Sequence, residues 1–217
     1  MKFMYHECAG DERVGFDADM LSHIKARRMR ESERLEMRNL KDECVYIYEI
    51  RQLSRRDGFA ELVFTSQKPV IKSGFCLAWA VIDPKSVQKA LPALNELGVE
   101  RISFIYCDYS QKNFRLDFDK LERICALSSQ QCGREYLMSF ELYESLDKFI
   151  ASHENVALLD FGGEALGAHA GGFIVVGAEG GFSQRERELV RQKYSLNTIS
   201  ILRSETAAIA LAAKSLA

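Results

Sequence analysis

The chain has 217 residues, 47% of them hydrophobic, so it can bury a core for one large domain or two small ones. Its net charge is −2, and basic and acidic residues are balanced on both sides of residue 70, so bulk charge does not indicate a nucleic-acid partner. No apolar run approaches the length of a membrane span, and the start MKFMYHECAGDERV is too charged for a signal peptide. We therefore expect a soluble, cytoplasmic protein with no membrane partner.

Cysteine and histidine spacing argues against a metal site. The six cysteines lie far apart without a C-x-x-C pair, and the four histidines form no ligand-spaced pair with each other or with a cysteine. We expect neither disulfides nor a structural metal. Small buried hydrophobic side chains in a reducing compartment explain the cysteines better.

The first third of the chain has the composition of a small β domain. Residues 44–53 (CVYIYEIRQL) and 59–65 (FAELVFT) are rich in aromatic and β-branched residues, and the Arg-Asp-Gly between them is a hairpin signal. Pro69 then marks a linker. We therefore predict a β-rich domain at residues 1–69 and a second domain at residues 70–217.

Beyond Pro69, short apolar runs alternate with segments of helical spacing. The apolar runs, which we predict as strands, are 75–82, 102–107, 156–159, 173–176 and 199–202. The helical segments are 85–97, 117–132, 142–151, 183–193 and 205–216. This alternation predicts an α/β domain with a mostly parallel sheet covered by helices. The last helix is apolar nearly all round, which suggests a dimer contact.

Glycine is concentrated late in the chain, with eight of the fourteen glycines between Gly162 and Gly181. Most of them lie in DFGGEALGAHAGG, between two predicted strands, where we expect a functional or mobile loop. The segment 174–186 (IVVGAEGGFSQRE) then combines a strand, a glycine corner and the capping box Ser183 to Glu186 that opens a helix.

The glycine corner does not match the common phosphate loops. G-x-G-x-x-G requires a glycine where the chain has Glu179, and no Gly-Lys-Ser/Thr is present. Because a carboxylate would repel a pyrophosphate, the corner favours a neutral or cationic ligand recognised through a nucleoside. A doubly wound nucleotide-dependent enzyme is disfavoured, since such proteins usually have their glycine fingerprint after the first strand.

Several blocks resemble the small-subunit ribosomal RNA uracil-N3 methyltransferases of the SPOUT superfamily. They are GAEGGFSQRE at 177–186, ILRSETAAIA at 201–210, SQQCGR at 129–134 and ELGV at 96–99, and HIKARRMR at 23–30 is similar to the family's N-terminal PUA-like RNA-binding domain. The resemblance implies a C-terminal domain with a deep trefoil knot, one of the rare exceptions to unknotted chains. It also implies S-adenosylmethionine bound in the knot, a homodimer, and ribosomal RNA or the small ribosomal subunit as substrate.

The resemblance implies cofactor contacts at the glycine corner and at a later strand end. These residues are Gly177, Glu179, Gly180, Gly181, Ile201 and Leu202. S-adenosylmethionine carries a sulfonium and no phosphate, so a glycine corner with a carboxylate suits it. A carboxylate in a turn can also accept main-chain hydrogen bonds that hold the corner closed, so Glu179 has a structural alternative.

Two charged residues are candidates for catalysis. Uridine N3 carries a proton and is a poor nucleophile, so methyl transfer requires a base or a cation that stabilises the deprotonated ring. Arg203 is the candidate cation, because a guanidinium stays charged and its fork can reach a carbonyl oxygen or a phosphate. Glu205 is the candidate base, although the helix dipole explains a carboxylate in a first helical turn equally well.

The candidate RNA-binding residues are His23, Lys25, Arg27, Arg28, Arg30 and Arg134. Three glutamates, Glu31, Glu33 and Glu36, follow the basic run, which by itself suggests a solvated face of mixed charge. The resemblance favours RNA contact instead. Arg134 and Gln131 lie at the end of a predicted helix and could face either RNA or the sheet.

The chain departs from the family pattern near the implied cofactor site. Ala178 replaces the family's proline, and Ala93 replaces its lysine. Asn197, Thr198 and Ser200 replace the family's leucine, glycine and arginine. Loss of a loop glycine leaves open a second interpretation, a non-catalytic or differently targeted RNA-binding SPOUT relative. Glu179, Arg203 and Glu205 remain, which favours an active enzyme.

Overall fold

The computed structural model describes residues 2–167 and 172–216. The chain divides into two compact units, and each is considered by itself. The first unit comprises Met1–Ile71 and Ala126–Leu137, and the second comprises Lys72–Cys125 and Met138–Ala217. The segment 126–137 therefore clusters with the N-terminal residues, although the sequence pattern assigns it to the second domain.

The first unit is a small β-rich body with one complete helix. Its elements are β1 Met4–Tyr5, β2 Arg13–Gly15, α1 Ala18–Ala26, β3 Arg34–Arg38, β4 Cys44–Leu53 and β5 Gly58–Gln67. The strands form one sheet in the order β1-β3-β4-β5-β2, in which β1 and β3 are parallel and the other pairs antiparallel. The predicted hairpin of β4 and β5 is confirmed. Tyr48 and Ile50 of β4 share a core with Leu21 and Ile24 of α1.

The second unit is an α/β body with a parallel sheet. Its elements are β6 Cys76–Ala80, α2 Pro84–Leu97, β7 Arg101–Ile105, α3 Phe118–Cys132, β8 Ser139–Tyr143, α4 Leu146–Ser152, β9 Val156–Ala165, β10 Phe173–Val176, α5 Gln184–Leu189, β11 Lys193–Ser195 and α6 Ser204–Leu216. Helix α3 belongs to this unit as far as Cys125. The strand order is β11-β9-β10-β6-β7-β8, and each of these pairs is parallel. The predicted mostly parallel sheet is confirmed.

The middle strands of this sheet are apolar on both faces, as burial under helices requires. Leu77, Trp79, Phe104 and Val175 are all fully buried. Trp79 and Phe104 are neighbours in the register of β6 and β7, and their rings lie 6.0 Å apart. Burial of each such side chain stabilises the fold by roughly 1.5–3 kcal/mol.

Two secondary-structure predictions near the site are wrong. Residues 199–202 form no strand, and Ile199 and Ile201 are exposed to solvent. The segment 183–193, predicted to be helical throughout, is a helix only at Gln184–Leu189, and its last residue begins β11. A four-residue apolar run contains too little periodicity to distinguish a buried strand from a surface segment that lines a cleft.

The glycine-rich connection also differs from its prediction. Residues 160–165 continue β9 as a strand instead of beginning a loop. Residues 168–171 of the predicted loop lie outside the described residues. The pattern also fails to predict β8, whose sequence SFELY is only partly buried and so lacks a continuous apolar run. In the part of the chain that the structure describes, no helix is long and apolar enough to cross a membrane.

Candidate active site

The candidate site is a cleft in the second unit, at the carboxyl edge of the parallel sheet. It is lined by residues of the neighbouring strands β9, β10 and β11 and of the segments that follow β10 and β11, and open α/β sheets often bind ligands at the carboxyl ends of their strands. Its empty space, which includes open solvent, amounts to about 680 Å³. The lining residues are Leu159, Asp160, Phe161, Val176, Gly177, Ala178, Glu179, Gly181, Ser195, Leu196, Thr198, Ile201, Leu202, Ser204 and Ala207.

Neighbouring atoms leave little space beside two glycines of the corner after β10. A Cβ atom at Gly177 would lie 3.2 Å from the backbone of Gly181, and one at Gly180 would lie 3.2 Å from the ring of Tyr109. Gly181 has a φ of +70° and donates its N–H to the carbonyl of Ala178 at 2.9 Å. The position of Gly181 therefore favours glycine because other residues disfavour positive φ, whereas a side chain at Gly177 or Gly180 would have to displace its neighbours slightly.

The predicted capping box is confirmed, and its glutamate also reaches a second loop. Glu186 is fully buried, and its Oε2 accepts the N–H of Ser183 at 2.9 Å. Its Oε1 accepts the N–H of Asp108 at 2.9 Å. Glu186 therefore joins the start of α5 to the loop after β7. Burial raises the pKa of the Cys107 thiol in that loop, and the neighbouring Glu186 carboxylate raises it further.

An ion-pair network reinforces the start of α5 on its solvent side. The carboxylate of Asp108 accepts hydrogen bonds from the Ser183 hydroxyl at 2.5 Å and from Arg185 Nη2 at 2.9 Å. Arg185 also donates to both carboxylate oxygens of Asp147, at 2.9 and 3.0 Å. The hydrogen bonds from Arg185 and Ser183 lower the pKa of Asp108. The corner is thus followed by a helix whose first turn is held in place from two sides.

A buried hydroxyl joins the corner to the start of α6. Ser204 is 4% exposed and donates to the carbonyl oxygen of Gly177 at 2.5 Å. It accepts the indole N–H of Trp79 at 2.8 Å. These bonds bring the glycine corner and the segment that contains Ile201 to one side of the same cleft.

The structure brings together most of the residues predicted to contact a cofactor. Gly177, Glu179, Gly181, Ile201 and Leu202 all line the cleft. Gly180 is the exception, since it does not line the cleft but packs against Tyr109. Glu179 is exposed and forms no ion pair with any side chain among the described residues.

The two predicted catalytic residues flank the cleft without lining it. Arg203 is exposed immediately before α6, and its carbonyl accepts the N–H of Ala207 at 2.9 Å. Glu205 is half-buried in the first turn of α6. Their chain neighbours Leu202 and Ser204 both line the cleft. In residues 2–167 and 172–216, neither charged group forms an ion pair.

The loop that lacks the family's glycine has an asparagine in the left-handed conformation. Asn197 has a φ of +54°, which asparagine tolerates better than most residues. The Thr198 hydroxyl donates to the carbonyl of Ser200 at 2.8 Å, and Thr198 itself lines the cleft. The turn is therefore formed without glycine.

The predicted RNA-binding residues belong to the first unit. His23, Lys25, Arg27, Arg28 and Arg30 are all exposed at or just after the end of α1. Lys25 donates to the carbonyl of Arg55 at 2.6 Å.

Arg134 follows the last turn of α3. Its Nε donates to the carbonyl of Tyr136 at 3.1 Å, and its guanidinium lies 4.1 Å from the centre of the Tyr136 ring. Local contacts therefore hold this side chain, which is half-buried and belongs to the same unit as α1.

Sequence reasoning missed several residues of the cleft, above all Asp160 and Phe161. They were included in a predicted loop because glycines follow them. Their position directly after the apolar run 156–159 was the available signal, since residues at the carboxyl ends of parallel strands often line sites. No group of three or more metal-ligating side chains occurs within the described ranges, and the six cysteines are free thiols.

Comparisons with known proteins agree with this architecture. A family model described as an RNA methyltransferase domain matches residues 71–215. The ribosomal RNA small subunit methyltransferase E of Helicobacter pylori is 34% identical over 221 residues, which cover 98% of each chain.

Two solved structures extend the comparison over nearly the whole chain. A predicted RNA methyltransferase from Thermotoga maritima has a TM-score of 0.71 at 25% identity, covering 98% of this chain and 96% of that one. The ribosomal RNA small subunit methyltransferase E of Neisseria gonorrhoeae, solved with S-adenosylmethionine, has a TM-score of 0.74 at 20% identity, covering 98% and 95%. The similarity to the Neisseria gonorrhoeae structure shows a shared fold.

Proposed function

Because the chain belongs to the ribosomal RNA small subunit methyltransferase E family, we propose that it transfers a methyl group from S-adenosylmethionine to N3 of a uridine in small-subunit ribosomal RNA. The observation that carries the proposal is that the glycine corner and the Ile201-Leu202 segment line one cleft. The names of the relatives support ribosomal RNA methylation, and the resemblance of the motifs supports the uridine N3 position.

The chemistry of the cleft suits S-adenosylmethionine. Lysine and arginine are absent from its lining residues, as suits a cationic ligand without phosphate. Ile201 and Leu202 offer an apolar surface for a purine, and Glu179 offers a carboxylate for a positive charge. Gly177 and Gly181 line the cleft without side chains, so their main-chain groups can approach the ligand. When bound, S-adenosylmethionine supplies a methyl group attached to a sulfonium, which makes the methyl group electrophilic.

The chain's own contribution to the reaction is to position the reactants and to stabilise charge. N3 of the uridine must lose its proton, and the ring then carries negative charge on its carbonyl oxygens. We assign the stabilisation of this charge to the guanidinium of Arg203, which is exposed beside the cleft. Glu205 is the candidate that accepts the proton, and stabilisation of the N-terminus of α6 is the alternative role for its carboxylate.

We further propose the finer features of the fold that the family implies. Residues 1–69 would form a PUA-like RNA-binding domain, and residues 70–217 a methyltransferase domain with a trefoil knot. The side chains that contact RNA would be His23, Lys25, Arg27, Arg28, Arg30 and Arg134. The active form would be a homodimer. The burial of α6 supports a homodimer. Its buried residues are Ser204, Ala208, Leu211 and Ala212, so its other apolar side chains remain partly exposed and could pack against a second copy.

The direct test is methylation in vitro with isotopically labelled S-adenosylmethionine. Free small-subunit RNA and the assembled small subunit would be offered separately, and the product nucleosides identified by mass spectrometry. We expect N3-methyluridine from wild type and a loss of about 100-fold in rate with Arg203→Ala, the scale for removal of one charge-stabilising donor. Arg191→Ala, which removes another exposed arginine of the same unit, is the matched control.

The outcomes separate the proposal from its alternatives. A methylated product at another position would overturn the N3 assignment and retain a methyltransferase. No product, together with no binding of S-adenosylmethionine in calorimetry, would identify a non-catalytic relative. The replacement of the family's loop residues at Asn197, Thr198 and Ser200 is the observation that keeps this second candidate in view.

A further inference from the structure

A bulge in β9 turns two side chains towards the cleft. In the pairing of β9 with β11, Lys193 is opposite Leu158 and the next residue, Tyr194, is opposite Glu164. Residues 159–163 therefore have no partner in β11. Gly162 within this bulge has a φ of +75°. Bulges redirect side chains beside functional sites, and Asp160 and Phe161 of this bulge both line the cleft.

The bulge is held by a two-point ion pair from α5. Arg187 Nε donates to Asp160 Oδ2 at 2.6 Å, and Arg187 Nη2 donates to Asp160 Oδ1 at 3.2 Å. The Asp160 side chain is only 6% exposed, so water screens this pair less than a surface pair. The same Oδ1 accepts the N–H of Phe161 at 3.0 Å. Arg187 therefore acts on Phe161 through a carboxylate that contacts both residues.

Phe161 is a large apolar side chain left open at the mouth of this cleft. It is 66% exposed although its backbone is restrained, and it shares the cleft with the exposed Ile201 and the half-buried Leu202. A ligand with an apolar face that enters the cleft would cover this exposed ring.

We propose that Phe161 packs against the purine ring of the nucleoside cofactor and that Arg187, acting through Asp160, is the positioning residue that presents it. This inference rests on the proposed function, because the cofactor there is an adenosine derivative. Stacking of a base on an aromatic side chain is worth about 1–3 kcal/mol, a factor of roughly 5 to 150 in affinity. Leu202 and Ile201 supply further apolar contact in the same cleft.

The first experiment measures the affinity of each variant by calorimetry for S-adenosylmethionine and for its demethylated product, S-adenosylhomocysteine. Both ligands carry adenosine, so Phe161→Ala is expected to weaken both by the same factor, about ten-fold, whereas Phe161→Tyr retains the wild-type affinity. Phe64→Ala is the matched control, because Phe64 is 60% exposed and lies in the first unit. Wild-type affinity of Phe161→Ala for both ligands would overturn the proposal.

The second experiment is a double-mutant cycle for the positioning role. Arg187→Met is expected to weaken both ligands about three-fold to ten-fold in the wild-type background and to have no further effect in Phe161→Ala. Equal losses in both backgrounds would show that Arg187 acts independently of Phe161 and would overturn its assigned role. Arg191→Met controls for removal of a positive charge near α5.

The mass of each variant in solution tests the rival explanation of the exposed ring. If Phe161→Ala changes the oligomeric state while both affinities stay at the wild-type value, the ring packs against a second copy of the chain and the proposal fails. Failure of the proposed function is distinguishable, because the wild-type protein would then bind neither adenosine derivative. Binding by wild type with no loss in Phe161→Ala refutes the present inference alone.

Discussion

The indole N–H of Trp79 donates to the hydroxyl of Ser204 at 2.8 Å, and that hydroxyl lies between a core strand and the glycine corner. Trp79 is fully buried in β6, whereas Ser204 lines the cleft. The contact therefore connects the hydrophobic core to the candidate active site. It also joins residues that are 125 positions apart in the chain.

This relationship makes the chain's one tryptophan a reporter of cofactor binding. We expect the emission of Trp79 to change saturably as S-adenosylmethionine is added. The reason is that Ser204, which accepts the hydrogen bond of the indole N–H, lines the cleft. The measurement is a fluorescence titration, whose dissociation constant should equal that from calorimetry. An unchanged emission spectrum at ligand concentrations that saturate the calorimetric signal would contradict the prediction.

Removal of the Ser204 hydroxyl should destabilise the second unit. Ser204→Ala leaves the buried Trp79 N–H and Gly177 carbonyl without their shared partner, and an unsatisfied buried group costs about 1–3 kcal/mol in the free energy of unfolding. Urea denaturation measures this cost. Ser152→Ala removes a hydroxyl that also donates to a carbonyl but is exposed, so its change should stay within about 0.5 kcal/mol. Equal effects of the two substitutions would argue against a structural role for the buried bond.

The Asp108–Arg185 pair predicts a contribution to stability that disappears in acid. Hydrogen bonds from Arg185 and Ser183 lower the pKa of Asp108 in the folded state below its ordinary value. A lowered pKa stabilises the folded protein at pH values above the pKa of the unfolded state. This contribution is lost as the pH falls through the pKa of the folded state. NMR titration of the Asp108 carboxyl carbon measures the pKa directly. We expect Arg185→Gln to raise this pKa, and no change would show that the pair is ineffective in solution.

The buried Cys107 thiol should be unreactive in the native protein. Burial and the neighbouring Glu186 carboxylate raise its pKa, so the reactive thiolate form is rare at neutral pH. Cys8 is exposed and serves as the internal comparison. Mass spectrometry after brief treatment with iodoacetamide should find Cys8 alkylated and Cys107 unmodified until the protein is denatured. Alkylation of both cysteines at one rate would contradict the burial of Cys107.

The basic residues after α1 give a prediction for RNA binding. Replacing Arg27 and Arg28 together with alanine should weaken RNA binding and reduce its log-log salt dependence by roughly one unit for each lost phosphate contact. Filter binding over a range of salt concentrations measures both quantities. Lys85 and Lys89, exposed on α2, form the matched control pair because their replacement removes the same charge. An unchanged salt slope in the arginine variant would exclude these residues from the RNA surface.

The sequence by itself determined the local features that depend on neighbours in the chain. The hairpin of β4 and β5, the buried strands of the second unit and the capping box at Ser183 and Glu186 all follow from periodicity, turn residues and short-range hydrogen bonds. The glycine corner belongs with these features, because the positive φ of Gly181 is a local backbone property that favours glycine. The resemblance of short motifs then indicated the family.

Only the tertiary structure decided which distant residues share the cleft. The run 199–202 is apolar because Ile201 and Leu202 line a pocket, which an apolar pattern alone cannot distinguish from a strand. Asp160 and Phe161 reach the same pocket because a bulge in β9 redirects them. Strand register and the partners of buried polar groups are set by contacts between segments far apart in the chain. Periodicity along one segment carries no information about those contacts.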